Sequence, residues 1–148
     1  MPHRREKNGL SANMEDYLET IYFQDLEGLP AKVKNIADSM GVSKPSVTEA
    51  LSVLQDRGLV LHQKYGDIEL TDKGRREADR IYRKHKMFKR LFTEVFNISD
   101  EQAEDDACKV EHLISDETVD QVQRFLDFME DGANGSLPQQ FREYLAKK

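Results

Sequence analysis

The chain of 148 residues has a single cysteine, Cys108, so no disulfide can close within it. No apolar run approaches the roughly 20 residues that a membrane-spanning helix needs. The N-terminus, MPHRREKNGLSAN, is basic but lacks the apolar stretch of a secretory signal. Internal repeats and low-complexity tracts are also missing. So are H-E-x-x-H, a nucleophile elbow and a phosphate-binding loop, the marks of several large enzyme classes. These absences point to a non-catalytic cytoplasmic protein with no membrane partner.

What the chain does have is charge: 34% of its residues are Asp, Glu, Lys or Arg, with a net charge of −6. The charge is unevenly spread. Residues 1–95 sum to +2 and residues 96–148 to −8. Such asymmetry suits a nucleic-acid-facing module joined to one of another kind.

The pattern is mainly helical. NMEDYLETIYFQ (13–24) has Asn13 as an N-cap and apolar residues at helical spacing, ended by Gly28 and Pro30. A short helix is expected over 31–40, stopped by Gly41. Ser43 then caps a helix with Pro45 in its first turn and a stripe of Val47, Ala50, Leu51 and Leu54, ended by Gly58. This is a helix-turn-helix pattern. LVLHQKY and DIELT, separated by Tyr65-Gly66-Asp67, form a hairpin where a winged helix-turn-helix has its wing. Thr71 caps one long helix reaching Phe96. Ser99 or Asp100 caps a helix over 101–115, and Ser115 or Asp116 starts another to about Met129. Gly132 to Pro138 reads as a loop, and 139–148 as a short terminal helix or a fray.

DACKVEHLIS (106–115) puts Cys108, Glu111 and His112 on one helical face. Two readings are open on spacing alone. One is a solvated face beside a buried thiol; the other is a set of metal donors. Asp16 and Glu19 share a face of the first helix, and His85 is the only histidine on a helix's apolar stripe. One thiolate, three carboxylates and two imidazoles suit a divalent first-row transition metal. Carboxylate and imidazole favour Mn²⁺ or Fe²⁺, and the thiolate favours Fe²⁺, Co²⁺ or Zn²⁺. Six donors would leave no position for a substrate.

MEDYLETIY, VSKPSVTEALSVLQDRGLV, LTDKGRREA, RKH and CKVEHLISDE, in this order and spacing, resemble the diphtheria-toxin-repressor family, which includes iron-dependent repressors and manganese transport regulators. The resemblance covers about residues 14–130. It implies a winged helix-turn-helix DNA-binding domain (1–74) and a helical metal-binding and dimerisation domain (75–148), with the linking helix beginning near 72. Longer members add an SH3-like domain; this chain is expected to match the short manganese-regulator architecture. The implied ligands are Asp16, Glu19, His85, Cys108, Glu111 and His112. Asp16 matches the manganese branch, Cys108 the iron branch. At the iron branch's ancillary site the matching positions are Lys89 and Glu104, and a lysine there argues against that site. The implied function is a metal-activated repressor of transition-metal homeostasis genes, loaded with Mn²⁺ or Fe²⁺ and able to take Co²⁺ or Zn²⁺ in vitro. It would bind a palindromic operator in double-stranded DNA as a homodimer. The alternative is a winged-helix regulator that senses an organic ligand or redox state through Cys108.

Ser43, Lys44, Pro45, Ser46 and Thr48 lie at the end of the recognition helix that meets base edges. Lys34, Lys44, Arg57 and Lys64 are phosphate contacts by charge, as are Arg4, Arg5 and Lys7. Val110, Leu113, Ile114, Val119, Val122, Phe125, Leu126 and Phe128 exceed what a single helix pair buries, so a partner subunit is expected to cover part of them.

Overall fold

A computed structural model describes residues 10–62, 66–131 and 137–147. It is mainly α-helical and divides into two compact units, Met1–Tyr82 and Arg83–Lys148.

The N-terminal unit is a winged helix-turn-helix. Helix α1 (Ala12–Leu26) is capped by Ser11, whose side chain accepts from the Met14 amide. Asn13 is therefore not the cap: Ser11 is extended and Asn13 already lies in the first turn. Helix α2 (Val33–Met40) starts two residues later than expected, because Lys32 is extended and the Ala31 carbonyl accepts from the Ile68 amide. Gly41 ends it in the left-handed region at φ 66°, which a side chain would strain. Helix α3 (Lys44–Asp56) opens with Ser43 accepting from Ser46 N and Pro45 in the first turn, as expected. Strands β1 (Val60–His62) and β2 (Ile68–Leu70) pair antiparallel as the wing, Leu61 opposite Glu69.

Leu18, Ile21, Ile36, Val47, Leu51, Leu54 and Val60 are fully buried in this unit. They come from α1, α2, α3 and β1 at the spacings that put one face of each element inward. Helix α4 (Asp72–Arg90) begins where Thr71 Oγ1 accepts from Gly74 N and donates to the Gly58 carbonyl. Gly74 is obligatory here: a Cβ would lie 1.8 Å from the Leu59 carbonyl oxygen.

The chain leaves α-helical geometry at Arg90. Leu91–Val95 form a π-helical turn instead of the last turns of one long helix, and Asn97 follows at φ 56°, with the Ile98 amide donating to the Phe92 carbonyl. In the C-terminal unit, α5 (Asp100–Val110) is capped by Ser99 and α6 (Asp116–Glu130) by Ser115. Helix α5 is shorter than expected. The 111–113 turn follows it, with the Leu113 amide bonded to the Val110 carbonyl. Helix α7 (Leu137–Ala146) includes Pro138, which opens the helix and is not part of a loop. The core of this unit centres on Met87, Phe88, Ala107 and Leu126, with Val110, Ile114, Val119 and Val122 packed against it half-buried.

Candidate functional site

Metal-type donors converge inside the C-terminal unit. His85 sits on the inward stripe of α4 and is buried. Its Nδ1 lies 2.8 Å from Glu111 Oε2, and its Nε2 lies 2.8 Å from Glu104 Oε1. The Glu111 side chain is 0% exposed, and His112 Nε2 lies 3.3 Å from Glu111 Oε1. That contact is close enough for charge attraction but not aligned as a hydrogen bond, so Oε1 is a buried carboxylate oxygen without a hydrogen-bond partner. Leaving such an oxygen unsatisfied costs on the order of 1–3 kcal/mol or more.

Glu111 reaches this place because it is the C-cap of α5 and keeps helical dihedrals. Of the three donors read on one helical face, Cys108 alone lies within α5; His112 follows in the turn. Cys108 is exposed and Glu111 is buried, the reverse of a solvated face beside a buried thiol. Cys108 Sγ and a Glu111 carboxylate oxygen lie within 4.8 Å of each other. An orphaned buried carboxylate oxygen, two imidazoles and a neighbouring thiol suit a divalent transition ion. Asp16 and Glu19 are half-buried on α1 in the N-terminal unit.

Beside this cluster, Lys89 Nζ pairs with Glu104 Oε2 at 2.8 Å and with Asp100 Oδ1 at 3.2 Å. Burial pushes the Glu104 carboxyl up, but the Lys89 hydrogen bond and the nearby His85 outweigh it and hold it below its ordinary value. The Glu104 and Asp100 hydrogen bonds raise the Lys89 ammonium. Sequence reading placed Lys89 and Glu104 at matched positions but gave no sign of the contact with His85, because residues 85 and 104 meet only through the packing of α4 on α5.

In the N-terminal unit, Ser43, Lys44, Pro45, Ser46, Thr48 and Glu49 are all exposed, on the side of α3 opposite its buried stripe. All three hydroxyls have local bonds: Ser43 Oγ lies 2.8 Å from Ser46 Oγ, and Thr48 Oγ1 donates to the Lys44 carbonyl. Lys34 on α2 and Arg57 after α3 are exposed too. Lys64, Arg4, Arg5 and Lys7 lie outside the described residues. Ser52 and Gln55 extend this exposed face. They follow Thr48 at i+4 and i+7 on the same exposed face, a spacing visible in the sequence. Gln55 Oε1 accepts from the His62 amide and so ties α3 to the wing. Of the expected partner-facing apolar residues, Leu126 is internal core, while Leu113, Phe125 and Phe128 are exposed.

A helix-turn-helix with a wing, joined to a helical unit that buries a carboxylate–imidazole cluster, defines a winged-helix transcriptional regulator. Residues 9–68 match the iron-dependent repressor N-terminal DNA-binding domain, and residues 71–136 match the iron-dependent repressor metal-binding and dimerisation domain. The chain belongs to the iron-dependent repressor family. It is 34% identical over 123 residues to an uncharacterised HTH-type transcriptional regulator of Methanocaldococcus jannaschii, covering 82% of this chain and 98% of that one. It is 33% identical over 112 residues to the diphtheria toxin repressor of Corynebacterium jeikeium, covering 76% of this chain and 47% of that protein. The structure of the manganese regulator SloR superposes with a TM-score of 0.71 at 33% identity, covering 80% of this chain and 55% of that one. The chain thus spans about half the length of the diphtheria toxin repressor and of SloR. No helix among the described residues is long and apolar enough to cross a membrane.

Proposed function

We propose that this chain is a metal-activated, sequence-specific transcriptional repressor of transition-metal homeostasis genes. On this reading it acts as a homodimer on a palindromic operator in the cytoplasm and has no catalytic role. The observation that carries the reading is the Glu111 carboxylate, fully buried between His85 and His112 with one oxygen that has no hydrogen bond.

The ligands are His85, Cys108, Glu111 and His112 of the C-terminal unit, with Asp16 and Glu19 of α1 completing the set. A bound Mn²⁺ or Fe²⁺ supplies the positive charge that this collection of carboxylates lacks. Residues 1–74 read DNA and residues 75–148 bind metal and dimerise. Ser43, Pro45, Ser46 and Thr48 are short side chains that touch base edges or, for the hydroxyls, phosphate; Lys34, Lys44, Arg57 and Lys64 neutralise phosphates. A dimer presents its two α3 helices to half-sites about one helical turn, or a multiple of it, apart. The exposed Leu113, Phe125 and Phe128 supply apolar surface for a second subunit.

The test is fluorescence anisotropy of labelled DNA from the protein's own promoter region, at fixed salt. Protein is titrated with chelator, then with Mn²⁺, anaerobic Fe²⁺, Co²⁺ and Zn²⁺. Tight binding with metal and weak binding with chelator is expected. Equal binding in both overturns the reading.

A further inference from the structure

We propose that Glu104 is a positioning residue for the metal centre: it anchors the His85 ring at Nε2, so that Nδ1 is the nitrogen turned to Glu111, and Lys89 holds Glu104 in that pose. This rests on the reading above that His85 and Glu111 are ligands.

An imidazole offers two nitrogens to a metal, and an unanchored ring can present either. Here the ring is gripped at both. Glu104 Oε1 lies 2.8 Å from Nε2 on one side, and Glu111 Oε2 lies 2.8 Å from Nδ1 on the other. The two carboxylates differ in kind. Glu111 is wholly buried and keeps one oxygen without a hydrogen bond, as a ligand would. The Glu104 side chain is 53% exposed, and both its oxygens are engaged, Oε1 by His85 and Oε2 by Lys89. A carboxylate with both oxygens committed to hydrogen bonds orients a neighbour better than it binds an ion. Lys89 follows His85 by one helical turn, so α4 carries both groups to the same side and Glu104 of α5 bridges them. Asp100, at the start of α5, takes a further Lys89 contact and fixes the ammonium between two carboxylates. An ionised acceptor on the second nitrogen of a metal-binding imidazole both selects its tautomer and makes it a better donor, and loss of such a partner typically weakens metal affinity about 10–100-fold.

Because Glu104 is half-exposed, its replacement leaves no hole in the core and the variants are expected to fold. Mn²⁺ binding to the full chain is measured by calorimetry for wild type, Glu104→Ala, Glu104→Gln and Lys89→Met, and the visible absorption of the Co²⁺-loaded proteins is recorded in parallel. Glu104→Ala is expected to weaken Mn²⁺ binding by about 10–100-fold and to alter the Co²⁺ bands. Glu104→Gln keeps an acceptor oxygen and is expected to recover most of the loss, with Lys89→Met intermediate. A Glu104→Gln loss as large as that of Glu104→Ala would mean that charge alone matters and would overturn the positioning role. So would a Glu104→Ala affinity within about twofold of wild type with unchanged Co²⁺ bands. A wild-type chain that takes up no divalent ion overturns the metal reading itself, and the positioning role with it.

Discussion

In the N-terminal unit the buried set runs from Leu10 to Ile81 and draws on three helices, both strands and the start of α4. Its one buried polar side chain among the described residues, Gln24, is neutral. In the C-terminal unit the core cluster has only four buried members, Met87, Phe88, Ala107 and Leu126, ringed by half-buried apolar residues. The buried polar groups there, His85 and Glu111, are ionisable and touch each other. Gln24 Oε1 also lacks a hydrogen bond, but the group carries no charge. The C-terminal unit buries a carboxylate with one oxygen that no hydrogen bond satisfies, and a buried charge costs more than a buried amide, so this unit stands to gain more from a bound cation. The difference suits a division of labour between a DNA-binding unit and a metal-binding one.

The comparison is most easily broken in the reader. Leu54 is fully buried, and Leu54→Ala is expected to cost about 2–5 kcal/mol. Chemical denaturation should give the same loss with chelator and with Mn²⁺, because the substitution removes no donor to the ion. A loss that disappears on adding Mn²⁺ would refute the independence of this core.

Next in size is the effect of metal on the other unit. At a free Mn²⁺ concentration 100-fold above Kd, binding should stabilise the folded state by about 2.7 kcal/mol. Amide hydrogen exchange should locate the added protection in α5, the 111–113 turn and the start of α6, and far less in α2 and α3. Protection spread evenly over both units would show that the ion stabilises them alike. Within the reader, Gly74→Ala should cost about 1–3 kcal/mol, since a methyl there meets the Leu59 backbone oxygen. A thermal melt within a degree of wild type would show that this approach of α4 to the Leu59 backbone is adjustable.

The parts of this architecture that were legible beforehand are those written in local chemistry. Ser43, Ser99 and Ser115 each cap the helix that follows, as a small hydroxyl residue before a periodic stretch should. The stripe Val47, Ala50, Leu51, Leu54 is the buried face of α3. His85 stood out because an imidazole interrupts an apolar stripe. Features set by tertiary packing were not legible. Helix α5 ends at Val110 without glycine or proline to announce it, as Glu111 turns inward toward His85. The π-helical turn after Arg90 has no sequence mark except Asn97, a residue type that tolerates positive φ. The Lys89–Glu104–His85 chain joins two helices across a gap of 19 residues, which periodicity cannot show. Cys108, Glu111 and His112 read as one helical face, yet the exposure of the thiol and the burial of the carboxylate depend on where the helix stops.

The smallest expected effect tests the reader's face and not its core. Lys44 stands exposed at the first position of α3, so Lys44→Ala should leave stability within about 0.5 kcal/mol of wild type. If its ammonium neutralises one phosphate per subunit, the slope of log affinity against log salt should become shallower by about 0.9 per lysine removed. Binding should weaken by a similar factor on operator and on unrelated DNA, because a phosphate contact carries no sequence information. Thr48→Ala should behave in the opposite way. Its hydroxyl bonds within the helix and carries no charge, so the salt slope should hold while discrimination between operator and unrelated DNA falls. If the two substitutions gave the same slope and the same loss of discrimination, α3 would not be split into phosphate-holding and base-reading positions, and its N-terminal end would not be the reading edge.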